Sequence, residues 1–117
     1  MLLNPPAKEI IIVDGGSTDN TLEIVRKSEI FAAQKVCLLS SSAGRSHQMN
    51  MGANQATGNI LCFLHADTLV PDDLVVVIAN TLVNSKIVCG GFISIMAGPT
   101  QTRWSTTLHN ALKTYYA

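Results

Sequence analysis

Lys8-Glu9-Ile10-Ile11-Ile12-Val13-Asp14-Gly15-Gly16-Ser17-Thr18-Asp19 is the stretch that decides how this chain folds. Its apolar centre, Ile10 to Val13, is continuous rather than alternating, the pattern of a parallel strand buried on both faces. The run stops at Asp14-Gly15-Gly16, where the two glycines let the backbone turn sharply. Ser17 or Thr18 can then cap a helix, with Asp19 in its first turn. Leu22, Ile24 and Val25 against Glu23, Arg26 and Lys27 make that helix amphipathic through about Glu29.

The same alternation repeats outward. Lys35 to Ser40 reads as a second strand, Ser40 to Gly44 as a loop, and Arg45 to Ala56 as a helix that contains Gly52 and ends before Gly58 and Asn59. Ile60 to Leu64 reads as a third buried strand running into His65-Ala66-Asp67-Thr68. Pro71, Asp72 and Asp73 open a helix from Leu74 to about Val83. Lys86 to Ile95 contains a fourth strand around Gly90-Gly91, and Arg103 to Tyr116 reads as a last helix, with Leu108, Leu112 and Tyr115/Tyr116 on one face. Strands alternating with helices imply an α/β fold with a mostly parallel sheet and flanking helices. In such sheets the strand C-termini share one edge, and ligands bind in the crevice beyond it. Asp14, Ser40 and His65 to Asp67 all fall there.

At 117 residues the chain is one domain. Eight Lys plus Arg balance eight Asp plus Glu, so there is no basic face for nucleic acid and no polybasic patch for anionic lipid. Cys37, Cys62 and Cys89 are far apart, lie in apolar runs and read as buried reduced thiols. No segment approaches the ~20 apolar residues of a membrane span, and the N-terminus lacks the basic region of a signal peptide. The expected location is cytoplasmic, a pattern compatible with peripheral membrane attachment.

Three clusters carry the chemistry. In Asp14-Gly15-Gly16-Ser17-Thr18-Asp19 the glycines admit close approach of a ligand, the helix that follows offers free N–H groups, and Asp14 can accept from a base or ribose; the same residues would serve equally as a capped strand-to-helix turn. No Gly-Lys-Ser/Thr follows, so this is no Walker A loop. In His65-Ala66-Asp67, an imidazole and a carboxylate two apart on an extended chain point the same way and suit Mn²⁺, or Mg²⁺ through Asp67 and oxygens; the alternative is a strand end whose Asp67 and Thr68 cap the next helix. In Gly44-Arg45-Ser46-His47-Gln48-Met49-Asn50, Arg45 at a helix start opposes the dipole, a placement that a nearby anion would explain; the alternative is a solvated polar face. His109 reads as a packing or surface residue of the last helix, and Trp104 as an anchor of that helix or of an acceptor-binding lid.

Jointly, E-I-I-I-V-D-G-G-S-T-D-N-T, G-R-S-H-Q-M-N-M-G-A-N-Q-A-T-G-N-I-L, F-L-H-A-D-T and G-G-F resemble glycosyltransferase family 2 over roughly residues 8–92, and more narrowly its bacterial branch with V-D-G-G-S-T-D, R-x-x-Q-M-N and L-H-A-D-T motifs. The resemblance implies a GT-A fold, a nucleoside-diphosphate sugar donor (UDP or GDP) and a divalent metal, Mn²⁺ or Mg²⁺. It puts Asp14, Gly15, Gly16, Asp19, Arg45, Gln48, Asn50 and Ala66 on the donor side, Asp67 and His65 on the metal, with His65 replacing the first acid of the family's D-x-D, and Gly90 and Gly91 on the acceptor side. It also implies a strand and loop before Lys8, and a general base in a later acidic motif. No Asp or Glu follows Gly91, so the base is expected beyond Ala117. The expectation is a partial domain, a donor-binding half over residues 1–117, with little turnover of its own. A non-catalytic nucleotide-binding module and a gene fragment without function are the alternatives. A nucleotidyltransferase would need a basic residue after the first strand, and none stands near Asp14.

Overall fold

The computed structural model describes residues 3–33, 35–84 and 86–92. The chain divides into two compact units, Met1–Thr81 and Leu82–Ala117. The first holds strand β1 (Ile10–Asp14), helices α1 (Thr21–Lys27) and α2 (Glu29–Ala33), strand β2 (Val36–Ser40) and helix α3 (Arg45–Gln55); helix α4 (Leu74–Leu82) closes it.

β1 and β2 pair in parallel, Ile10 against Val36 through Asp14 against Ser40. Parallel neighbours require a crossover, and α1 with α2 supplies it. This βαβ unit is the α/β, parallel-sheet architecture expected from the alternation, a partial GT-A fold. The two helices separate at Ser28, whose backbone is extended at φ −69° and ψ 146° and whose hydroxyl turns back to Val25 O at 2.6 Å. The expected single helix to Glu29 is thereby two short ones. Its start also moves: Asp14 recruits Ser17, and Asp19 Oδ1 instead accepts the Thr21 N–H at 3.0 Å.

α3 lies on one face of β1. A Cβ at Gly52 would stand 3.4 Å from Val13 Cγ2 and 3.8 Å from Ile11 Cγ2, so glycine lets the helix backbone approach the strand. Glu9 Oε1 accepts from Thr57 N, Thr57 Oγ1 and Gly58 N, and Lys8 Nζ donates to Thr57 O. The end of α3 is thus clasped to the start of β1. Asn4 N–H donates to Asp72 O at 2.9 Å, fastening the N-terminal segment to the entry of α4, where Leu74 is 2% exposed.

Several expectations need correction. Ile10 to Val13 are half-buried, not buried on both faces. Ile60 to Leu64 forms no strand and joins no ladder, and Ile60, Leu61, Phe63 and Leu64 are exposed. An apolar run becomes a strand only when a neighbour takes up its N–H and C=O groups, and the ladder among the described residues joins β1 to β2 alone. Residues 86–92, including Gly90 and Gly91, form no strand for the same reason. Cys37, Cys62 and Cys89 are free and exposed rather than buried. The helix expected over residues 103–116, with His109 and Trp104, lies outside the described residues.

Candidate functional site

The C-terminal end of β1 delivers Asp14 into a turn that its own side chain organises. Asp14 is 8% exposed, the one buried charged residue among those described. Its Oδ2 accepts from Gly16 N at 3.0 Å and Ser17 N at 3.1 Å, and its Oδ1 accepts from Ser17 Oγ. The Ser17 hydroxyl, followed by the N–H groups of Ser17 and Gly16, holds the Asp14 carboxyl below the usual carboxylate range and outweighs the opposing desolvation. The Ser17 N–H also lies 3.2 Å from Oδ1, so each oxygen takes two contacts and the roughly four lone-pair positions of the carboxylate are engaged within the turn. Gly16 adopts φ +93°, a left-handed conformation that glycine enters without the Cβ penalty.

Asp19 follows on the same loop and is exposed. The hydroxyl and N–H of Thr21 lower its carboxyl, while the nearby charge of Asp14 raises it.

β2 ends beside this turn: Ser41 N–H donates to Asp14 O at 2.8 Å. The chain then enters α3 through Gly44, at φ +134°. The first helical turn carries Arg45, Ser46 and His47, whose N–H groups precede the first i→i−4 bond, from Gln48 N to Gly44 O at 3.1 Å. Arg45 and Asn50 are exposed, and neither makes a side-chain hydrogen bond among the described residues. Gln48 differs: its Nε2 donates to Val13 O at 2.9 Å. Asp14, Gly15 and Gly16 and the opening turn of α3 are in this way brought together at one sheet edge, joining the first and third clusters.

His65, Ala66 and Asp67 are exposed and make a separate turn, closed by Thr68 N–H to His65 O at 3.1 Å. The chain is bent there, so the same-side alignment expected of an extended segment does not hold. The bonds joining the first and third clusters do not extend to this turn. No group of three or more His, Cys, Asp and Glu forms a metal cage among the described residues. Gly90 and Gly91 belong to the second unit, where a Cβ on either would meet open space.

Sequence reasoning missed two features. Ser17 was read as a helix cap and is instead the partner of Asp14; the Asp-x-x-Ser spacing was the available signal. Ser42 Oγ lies 3.1 Å from His47 Nδ1 across the loop that opens α3, a pairing for which spacing gave no signal. No described helix is long and apolar enough to cross a membrane.

Comparison with known proteins gives the same direction. The chain is 38% identical over 71 residues to a poly-beta-1,6-N-acetyl-D-glucosamine synthase of Staphylococcus epidermidis, covering 61% of this chain and 17% of that protein. It is 36% identical over 66 residues to the synthase of the same name from Staphylococcus aureus strain COL, covering 56% and 16%. It thus spans about a sixth of the length of these relatives. No solved structure matches. The sequence profile of Glycosyl transferase family 2 matches residues 2–117, nearly the whole chain, and the protein belongs to that family.

Proposed function

We propose that this chain forms the donor side of a glycosyltransferase that moves a sugar from a nucleoside-diphosphate sugar to an acceptor hydroxyl. The observation that carries the reading is the Asp14–Ser17 turn, set at the C-terminal edge of a parallel βαβ unit beside the opening turn of α3. Such edges are where α/β sheets bind ligands, and the family supplies the reaction. The Asp14 turn meets the base or ribose, with Gly15 and Gly16 allowing close contact and Asp19 at the rim. Arg45 and the free N–H groups of the first turn of α3 face an anion with positive charge. Asn50 adds an amide, and Ala66 a small residue, along the same donor. Gly90 and Gly91 take the acceptor side.

A divalent cation, Mn²⁺ or Mg²⁺, fits His65 and Asp67 only as a site shared with the donor. Two protein groups cannot cage an ion, but such ions commonly take one or two carboxylates and complete their shell with water and phosphate oxygens. When bound, the ion would neutralise charge on the departing diphosphate. Because the relatives are poly-beta-1,6-N-acetyl-D-glucosamine synthases, a nucleotide-linked N-acetylglucosamine is the first donor to try.

Calorimetry with UDP, GDP and UDP-N-acetylglucosamine, each with Mn²⁺, tests the reading. Saturable binding of a nucleotide is the expected result. Absence of binding at millimolar nucleotide would remove the proposal. Metal-dependent binding without transfer would favour the alternative of a non-catalytic nucleotide-binding module.

A further inference from the structure

Gln48 stands on the inner face of α3, one turn before Gly52, and its side chain is half-buried. The ends of the β1–β2 ladder fix which way each backbone group of β1 points. Ile10 N–H bonds to Lys35 O, and Asp14 O accepts from Ser41 N–H. In a parallel ladder this sends the N–H and C=O groups of residues 10, 12 and 14 toward β2, and those of Ile11 and Val13 toward the opposite edge. Among the described residues the Val13 carbonyl has no ladder partner, and Gln48 Nε2 donates to it at 2.9 Å.

The same amide fills the space over Gly15. A Cβ there would lie 3.0 Å from Gln48 Nε2, 3.1 Å from Cδ and 3.2 Å from Oε1. Gly52 rests on Ile11 and Val13, so the inner face of α3 follows β1 from Ile11 and ends in a polar clamp on the turn. The Gln48 amide thereby bonds the backbone just before Asp14 and packs over the glycine just after it.

We propose that Gln48 is a positioning residue that fixes the Asp14–Gly15–Gly16 turn in its ligand-ready shape, acting through the backbone and not by reading the donor. The role rests on the reading of this turn as the nucleotide contact. It separates from that reading because the turn can be observed without ligand.

The test combines amide NMR of the ligand-free chain with UDP titration in Mn²⁺ for Gln48→Ala, Gln48→Glu, Gly15→Ala and the Gly15→Ala/Gln48→Ala pair. Glutamate keeps the shape of glutamine but loses the donor. Both Gln48 variants are expected to shift the Gly16 and Ser17 amide signals before ligand is added, with changes confined to residues near 13–17. They are expected to weaken UDP by about threefold to tenfold, the weight of one hydrogen bond. Gly15→Ala, which collides with the amide, is expected to cost a similar factor in the native background and little more once Gln48 is already alanine. Unchanged ligand-free signals in Gln48→Glu, or strictly additive losses in the pair, would overturn the proposal. Should Gln48→Ala fail to give a cooperative melt, Gln48→Glu decides. Should the native chain not bind UDP, the donor reading falls, and the ligand-free signals still decide whether Gln48 holds the turn.

Discussion

Ser17 closes a ring on Asp14: its hydroxyl donates to Oδ1 while its N–H reaches the same carboxylate at 3.1–3.2 Å. Hydrogen bonds to the charged form favour that form. The Asp14 carboxyl is therefore expected to titrate below the ordinary aspartate value, and Ser17→Ala is expected to move its midpoint upward, since the Ser17 hydroxyl is the largest cause of the lowering. Carboxyl-carbon NMR titration reads this directly. A midpoint that ignores the substitution would show that Ser17 does not organise the turn.

Glu9 gives the fold an acid-sensitive clasp. Its carboxyl is lowered first by the Thr57 N–H, then by the Thr57 hydroxyl, the Gly58 N–H and the charge of Lys35. Because the folded value is depressed, the unfolded chain binds the proton more readily. The stabilisation is thus complete above the ordinary carboxylate value of about 4 and disappears as pH falls through the lower folded value. Thermal melts from pH 7 downward should hold level and then fall below about pH 4. Glu9→Gln should lower the pH 7 melt and flatten the acid limb. An identical acid limb in the variant would place the sensitivity elsewhere.

The sequence carried the βαβ unit clearly because both of its strands find each other: Ile10–Asp14 and Val36–Ser40 form one ladder, so apolar pattern and pairing agree. Ile60–Leu64 has the same pattern and no ladder, since pairing depends on a neighbour that composition does not reveal. The start of α1 was misread because Ser17 has two good uses, and the Asp14 carboxylate won over the helix end. Gly52 reads as a weakness in a helix; its place against β1, with room for a methyl 3.4 Å from Val13 Cγ2, shows only in the structure. Asp14, Gly15, Gly16 and Gln48 stood out as candidates because a glycine-rich turn follows a strand, a pattern that a capped strand-to-helix turn shares. The bend at His65–Thr68 was not legible, because spacing alone presumes extended chain.

Gly16 isolates backbone strain from crowding. At φ +93° it is in the left-handed region, while a Cβ there would meet nothing within 4 Å. Gly16→Ala is therefore expected to cost roughly 1–2 kcal/mol through conformation alone. Urea unfolding measures it. Native stability in the variant would mean that the turn relaxes freely to another shape.

At Gly52 the expected sign reverses. A single methyl at 3.4 Å from Val13 Cγ2 is in ordinary contact, and alanine is about 1 kcal/mol better than glycine inside a helix. Gly52→Ala should stabilise the chain by roughly 0.5–1 kcal/mol. Gly52→Leu should push α3 off β1 and destabilise by about 1–3 kcal/mol. The pair is read by the same urea unfolding. Destabilisation by alanine would show that the Gly52–Val13 approach has no slack.

Metal dependence separates Asp67 from the Asp14 turn. A unit-charge pair at 4 Å is worth about 1 kcal/mol in water and about 4 kcal/mol at an effective dielectric of 20. Asp67 is exposed, so the aqueous end applies, and the gain in UDP affinity from Mn²⁺ is expected to be at least about fivefold. Chelation by EDTA should remove it. Asp67→Asn should leave UDP binding at the chelated level whether or not Mn²⁺ is added, and His65→Ala should reduce the Mn²⁺ response without changing binding in EDTA. Gly16→Ala should do the opposite, weakening UDP equally with and without the ion. A full Mn²⁺ response in Asp67→Asn would mean that the ion is held by other residues and the phosphates, and that His65-Ala66-Asp67 is only a turn before α4.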